Sequence, residues 1–487
     1  MADKILLADF PKLPLSGQQV VELVEDAHDW AHAHGLVLRT RENREKSDVC
    51  QTAPIALLPS PFPRKLFQQA KDAQNLIASL YHEIAYDFDF LLKTHADVAK
   101  TDPFVHGMIE IVREVQKQGL AQPVSLLIQR SDYMCHKDPF TSEYGLKQVE
   151  VNNIASSMGG HAERTTKLHR RMLLNLGYSR DFVDKAVPEN EPIALIAEAL
   201  FQAWQLQNNP QGVLLVVVED VNQNQIDQRH IEYLLTEKGI PVDQIVRRNL
   251  TQCFGCLTLD EKKNLLLSGS KVSVVYFRSG YVPQHYPTEK EWTVRLRMEL
   301  STAIKSPWIG LQLANTKKTQ QVLSEDGVVE RYIGKPRDAA ALRATFAGLW
   351  AVEHEDAASL KIIQSAISKP ANFVLKPQLE GGGGNFYGEE VAEKLRTMTR
   401  DEKAAHILME RLQPLVVENY MVRALQPVLL AKCVCELGIY GYAIGKRGEA
   451  RTVTQGHLLR TKGETVDEGG VAVGAAVIDS PFLYELL

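Results

Sequence analysis

The run Val374-Leu-Lys-Pro-Gln-Leu-Glu-Gly-Gly-Gly-Gly-Asn-Phe-Tyr387 carries the strongest structural signal in the chain. It begins as a strand, because Asn372-Phe-Val-Leu375 is apolar and β-prone. Lys376 stands at the strand's mouth, and Glu380 stands before four consecutive glycines, Gly381 to Gly384. Glycine backbone can take positive φ and approach a ligand closely. Bare N–H groups converging beside a cation make a phosphate cradle. Glu380 cannot face phosphate oxygens without a mediator. Mg2+, held by one or two carboxylates plus phosphates, fits that role. Residues 389–398 read as an amphipathic helix with two acids in its first turn. The run is neither a Walker A motif nor Gly-x-Gly-x-x-Gly. A flexible surface loop is the competing reading, so other segments must decide.

Working outward, 487 residues allow two or three domains with sizeable cores. A net charge of -5 and the lack of a long basic run argue against a general nucleic-acid binder. No apolar run approaches the ~18 residues of a membrane span, and Met1-Ala-Asp-Lys-Ile-Leu-Leu7 lacks a signal-peptide layout. Six cysteines do not make a disulfide framework in a chain of this size, so a reducing, cytoplasmic setting is expected. Cys253-Phe-Gly-Cys256 has redox spacing but reads as a polar connector without a partner pair. Cys433 and Cys435 alternate along a strand and read as core. His28 and His32 lie four apart with no third ligand nearby, which reads as a polar helix face.

Four regions follow from the patterning. Residues 1–98 read as a mainly helical part of the main domain, with a proline-punctuated connector at 54–63 and a long amphipathic helix near 65–94. Residues 99–210 hold a strand at 124–128 that delivers Arg130, and an alternating strand at 146–152. On the latter, Val149 and Val151 face one way, while Gln148, Glu150 and Asn152 face the other. Residues 211–312 read as an inserted α/β domain, since the apolar runs 212–218 and 271–277 flank a helix from Asp227 to Leu235. Residues 313–487 contain the glycine run and a second Gly/Ala-rich loop at 469–476.

Glu150 and Asn152 offer two oxygen ligands on one strand face, which suits a hard cation; a solvated polar face is the alternative. Glu380 would add a third ligand. Lys317 and Lys376 could then offset a triphosphate's charge during phosphoryl transfer. Arg130, Arg278 and Arg460 read as lying at strand ends or loops, where a guanidinium fork matches a carboxylate. Together these features imply ATP-driven activation of a carboxylate for attack by an amine, with loops excluding water.

The ordered set Arg130-Ser-Asp-Tyr-Met134, Gln148-Val-Glu-Val-Asn152, Asp227-Gln-Arg229, Val275-Tyr-Phe-Arg278, Thr316-Lys-Lys318, Leu342-Arg-Ala-Thr-Phe-Ala-Gly-Leu349, Lys376-Pro-Gln378, Glu436-Leu-Gly-Ile439 and His457-Leu-Leu-Arg-Thr-Lys462 closely resembles the eukaryotic glutathione synthetases. The resemblance spans nearly the whole chain. It implies an α/β fold of the ATP-grasp superfamily with permuted order, an inserted small parallel α/β substrate domain and an N-terminal helical region. It also implies a homodimer that converts γ-glutamylcysteine, glycine and ATP to glutathione, ADP and phosphate. Carried across residue by residue, Glu150, Asn152 and Glu380 would bind Mg2+. Around ATP the resemblance places Glu150, Lys317, Lys376, Glu380, Gly381, Gly382, Gly383, Gly384, Asn385, Tyr387, Met409, Glu410, Arg411, Leu412, Glu436, Lys462 and Glu468. Around the peptide it places Arg130, Ile154, Ala155, Ser156, Ser157, Asn222, Asn224, Gln228, Arg278, Ser279, Gly280, Tyr281, Arg460, Val471 and Ala472. Arg460 would also steady the acyl phosphate, beside Lys317 and Lys376 as catalytic cations.

Three positions depart from the family pattern. Asn222 stands where an acid is common, Gly384 where Asn is usual, and Val473 where a second Ala is usual. The last bears on strict preference for glycine. The alternatives are a homologue that couples β-alanine or another small amine, a small-molecule kinase without an amine site, and a nucleotide-binding regulator without turnover.

Overall fold

The computed structural model describes residues 4–40, 42–378, 384–467, 470–471 and 474–486. Its platform is a seven-stranded sheet in the order Val416–Val422, Ile55–Ala56, Val477–Asp479, Arg451–Gly463, Leu430–Gly445, Ser125–Lys137, Tyr144–Asn152. The last four strands are mutually antiparallel. Their side chains alternate between two faces. Gln129 faces the helix Arg64–Ile84, whose Gln74 donates to its Oε1 at 2.9 Å. Arg130 and Met134 face a cavity. That helix buries Ile77, Ala78, Leu80 and Tyr81, each large side chain contributing roughly 1.5–3 kcal/mol.

A six-stranded sheet occupies 213–306. Ile245–Arg248, Val213–Val217, Ser270–Phe277 and Ile304–Ser306 run parallel within it. Val213–Val217 is buried throughout, as an apolar run covered on both faces should be. A four-stranded antiparallel sheet pairs Leu349–Ala351, His406–Glu410, Phe373–Pro377 and Phe386–Tyr387. The helices Ala357–Ser368 and Glu389–Thr397 share its core through Ile363, Val391 and Leu395.

Several local expectations change. The helix expected at 65–94 is two helices, Arg64–Ile84 and Phe88–His95; the second restarts at Asp87, whose carboxylate accepts from the Phe90 N–H. The proline-rich connector at 54–63 is mostly strand. Ile55–Ala56 joins the main sheet, and Ser60–Pro63 pairs in parallel with Pro481–Tyr484. Cys253 and Cys256 lie in the helix Leu250–Cys256, capped by Asn249, and not in a connector. Burial pushes the Cys253 thiol up to about 12, which makes it a poor nucleophile. Cys433 and Cys435 are buried in the sheet. His28 is partnered by the Thr52 hydroxyl at 2.9 Å. Among the described residues, no helix is long and apolar enough to cross a membrane.

Candidate active site

Strand register assembles the first half of the site. Asp132 pairs with Glu150, Arg130 with Asn152, and Glu436 with both Met134 and Arg460. Carboxylate oxygens of Asp132, Glu150 and Glu436 lie within 4.8 Å of one another. Such a cluster needs cations. Arg130 grips Asp132 with a two-pronged fork at 2.6 and 2.8 Å. Arg460 reaches Asp132 at 3.0 Å and Glu150 at 3.9 Å, and pairs tightly with Glu436. The Asn152 amide donates to Asp132 at 3.0 Å. Burial would raise the Glu150 carboxyl, but the charges of Lys317, Arg460 and Lys376 outweigh it and hold it low. At Glu436 burial prevails over Arg460, and the carboxyl is raised. The oxygen donors match a hard divalent ion. Asp132 is engaged by both arginines, so Glu150 is the more open ligand.

This geometry revises the sequence reading in three ways. Arg130 and Arg460 lie inside long strands, not at strand ends; only Arg278 follows a strand directly. A bulge at Val149 breaks the alternation. Val149 therefore lines the cavity with Glu150 and Asn152, while Gln148 is buried and outside the lining. The carboxylates found beside Glu150 are Asp132 and Glu436; Glu380 lies outside the described residues. Asp132 was missed, although period-two spacing from Arg130 put both on one strand face.

A cavity of about 380 Å³ opens over this cluster. Of the residues expected at the nucleotide, Lys376, Asn385, Tyr387, Met409, Glu410, Arg411, Leu412 and Lys462 line it with Glu150 and Glu436. Lys317 is buried at the start of the helix Lys317–Leu323, where its charge acts on Glu150, but it does not line the cavity; nor does Gly384. Gly381, Gly382, Gly383 and Glu468 lie outside the described residues, as does Ala472 from the peptide set. Asp467, unforeseen from sequence, ties three segments together. Its carbonyl accepts from Tyr387 and Lys462, and its carboxylate pairs with Arg411 at 3.0 Å.

On the peptide side, Ile154, Ala155, Ser156, Ser157 and Val471 line the same cavity. Ala155 and Met158 hold φ of 51° and 72°, a left-handed conformation that costs L-residues roughly 1–2 kcal/mol. Polar anchors hold the loop in this shape. Arg130 and Tyr440 donate to the Ser157 carbonyl at 3.1 and 2.6 Å, and Arg278 donates to the Ser156 carbonyl at 3.0 Å. Asp227 accepts from the Met158 and Gly160 N–H groups at 2.9 and 2.7 Å. Burial opposes its ionisation, but His161 and Arg278 hold that carboxyl well below the usual range.

Asn222, Asn224, Arg278 and Tyr281 line a second cavity of about 440 Å³. It shares Ala155, Ser157, Met158 and Tyr281 with the first. Gln228, Ser279 and Gly280 line neither. Gln228 is held from behind by Arg247 at 2.9 Å, and the Gly280 carbonyl accepts from Gln312 and Tyr286. These residues shape the wall from outside it.

Carboxylates sharing two arginines beside lysines on one cavity wall suit a protein that binds a phosphorylated nucleotide with a divalent ion. The family model for the eukaryotic glutathione synthase ATP-binding domain matches residues 17–483. The chain belongs to the eukaryotic glutathione synthase family. It is 39% identical to glutathione synthetase of Xenopus laevis over 95% of this chain and 96% of the relative. It is 38% identical to the Homo sapiens glutathione synthetase over 96% and 97%. It is also 35% identical to a chloroplastic glutathione synthetase of Arabidopsis thaliana, over 96% of this chain and 86% of that one. Among solved structures, a glutathione synthetase-like effector from Globodera pallida in its apo form superimposes with a TM-score of 0.77 at 30% identity. That match covers 97% of this chain and 99% of the other.

Proposed function

We propose that the chain joins γ-glutamylcysteine to glycine at the expense of ATP, giving glutathione, ADP and phosphate. The observation that carries this reading is that Arg130, Arg460 and Glu150 line one cavity with Lys376 and Lys462, and that this cavity shares a wall with the one Arg278 lines. ATP would lie along Lys376, Asn385, Tyr387 and Lys462, with its base toward Met409 to Leu412. Glu150 and Asn152, with Glu436 alongside and Glu380 from the glycine run, would hold Mg2+. When bound, that ion neutralises part of the triphosphate charge.

The cysteinyl carboxylate of the donor would sit against Arg130 and Arg460. Its oxygen attacks the γ-phosphorus, the bond from that phosphorus to the β–γ bridging oxygen breaks, and ADP leaves. Arg460 stabilises the charge on the acyl phosphate. The glycine amine then attacks the acyl carbon, the carbon–oxygen bond breaks, and phosphate leaves with the amine's surplus proton passing to it. The glycine-rich run 380–387 and the Gly/Ala-rich run 469–476 would exclude water while the acyl phosphate exists. The four regions 1–98, 99–210, 211–312 and 313–487 would serve as helical support, metal and peptide strands, inserted substrate domain and nucleotide lid of a cytosolic homodimer.

The test is ADP release from purified protein with ATP, Mg2+ and γ-glutamylcysteine, offered glycine, β-alanine or no amine. Release that depends on glycine is expected. Amine-independent release would replace the reading with a kinase, and no release would remove it.

A further inference from the structure

The second cavity is walled by loops leaving the carboxyl ends of adjacent parallel strands, the usual ligand position in open α/β sheets. Val213–Val217 sends out Glu219, and Ser270–Phe277 sends out Arg278 and Tyr281. The Glu219 carboxylate is only partly exposed and is fixed in place. It accepts from the Tyr281 hydroxyl at 3.0 Å, and His285 Nε2 lies 3.5 Å from it. Asn222, where the family resemblance leads one to expect an acid, is engaged at both ends. Its Oδ1 accepts from the Asn224 N–H at 2.7 Å, and its Nδ2 donates to Glu219 at 3.4 Å. Asn224 Oδ1 and Arg278 Nε are buried without a hydrogen-bond partner among the described residues. Buried polar atoms of this kind call for a partner, whether a ligand or ordered water, and these two residues line one cavity. An anion, an unfilled acceptor and a guanidinium on one wall complement an ammonium and a carboxylate on one carbon.

We propose that Glu219 binds the α-ammonium of the γ-glutamyl donor, replacing the acid absent at position 222, with Asn224 Oδ1 as its second acceptor. This rests on the glutathione-forming reading above. The wall shared by the two cavities places the amino-acid head in the second while the reacting carboxylate reaches Arg130 and Arg460 in the first. Burial would favour the protonated acid, but His285, Tyr281 and the Arg278 charge outweigh it, so Glu219 remains an anion at neutral pH. The carboxylate has moved three positions along the loop, and the amide left behind now orients it.

The test compares γ-glutamylcysteine with glutarylcysteine, the same donor without the α-amine. A charge-assisted hydrogen bond of this kind is expected to give the unaltered enzyme a preference of about ten- to hundred-fold in kcat/KM for the amine-bearing donor. Glu219→Gln is expected to bring that preference below about three-fold, mostly through the donor KM, while kcat/KM for glutarylcysteine is unchanged. That unchanged rate also reports an intact fold. Adding Asn222→Asp to Glu219→Gln is expected to restore part of the preference. A Glu219→Gln enzyme that keeps the full preference overturns the assignment of Glu219 alone. An unaltered enzyme inert toward both donors overturns the glutathione-forming reading, and this inference with it.

Discussion

Replacing Arg460 by glutamine removes the cation that three carboxylates share. Its Nη2 lies 3.0 Å from Asp132 and 3.9 Å from Glu150, and it also pairs with Glu436. At an effective dielectric of ~20, unit charges at these separations attract by roughly 4–6 kcal/mol per pair. A divalent ion approaching Glu150 meets the same guanidinium as a repulsive charge. If half of one such term survives solvent and rearrangement, bare Mg2+ should bind the variant about ten- to a hundred-fold more tightly. Turnover should move the other way, by roughly 100- to 1,000-fold, if Arg460 is the charge proposed to steady the acyl phosphate. The assay pairs the Mg2+ dependence of Tm, measured without nucleotide, with glycine-dependent ADP release. If Mg2+ stabilises Arg460→Gln no more than the parent, the guanidinium and the ion do not compete for these carboxylates, and the reasoning fails.

Glu150→Gln is expected to lower turnover at least ~100-fold, since even an outer partner of a metal ligand is worth 10–100-fold, with Tm within a few degrees of the parent; near-normal ADP release would end its metal role. In Gly438→Ala the added Cβ would meet Asp132 Oδ1 at 2.6 Å and Arg130 Cδ at 2.7 Å. It should cost about 1–3 kcal/mol in a denaturant titration and raise the donor KM by displacing that pair. Asp479 supplies a pH dependence. Burial, opposed by donors from Ser60, Thr461 and Ser480, pushes its carboxyl up from 3.8 to about 7. The folded chain therefore keeps a proton that the unfolded chain releases. The stability contribution is whole below pH 3.8 and is lost as pH rises toward 7, reaching about 4 kcal/mol. Asp479→Asn has no such proton, so its Tm relative to the parent should rise between pH 5 and pH 8; a constant difference would contradict the raised carboxyl.

Glu150 and Asn152 were legible because strand alternation is a local property, and Lys376 because it sits between a strand and a glycine run. The bulge at Val149 was not legible, since two residues facing one on the neighbouring strand is decided by the pairing and not by the residues themselves. Asp132 acquires its role only when Arg460, 328 positions away, is paired beside it. Glu436 came from the resemblance alone; as a lone acid in an apolar strand it carried no signal until register set it opposite Arg460. The prolines of 54–63 argued against strand, yet two of them lie in the short strand Ser60–Pro63, which pairs with Pro481–Tyr484 outside the main sheet.

The platform sheet draws one strand from each end of the chain, with Ile55 beside Ile478. On a ribosome making 5–20 residues each second, roughly 420 residues separate those two, so the early strand waits about 20–85 s for its neighbour. Until then Ile55 has only one of its two neighbours, the strand Val416–Val422, and Arg460 lacks its pairing with Ile478. Nascent chains halted before residue 477 should therefore be held by chaperones and devoid of ligase activity, however well the α/β layer of 213–306 has folded.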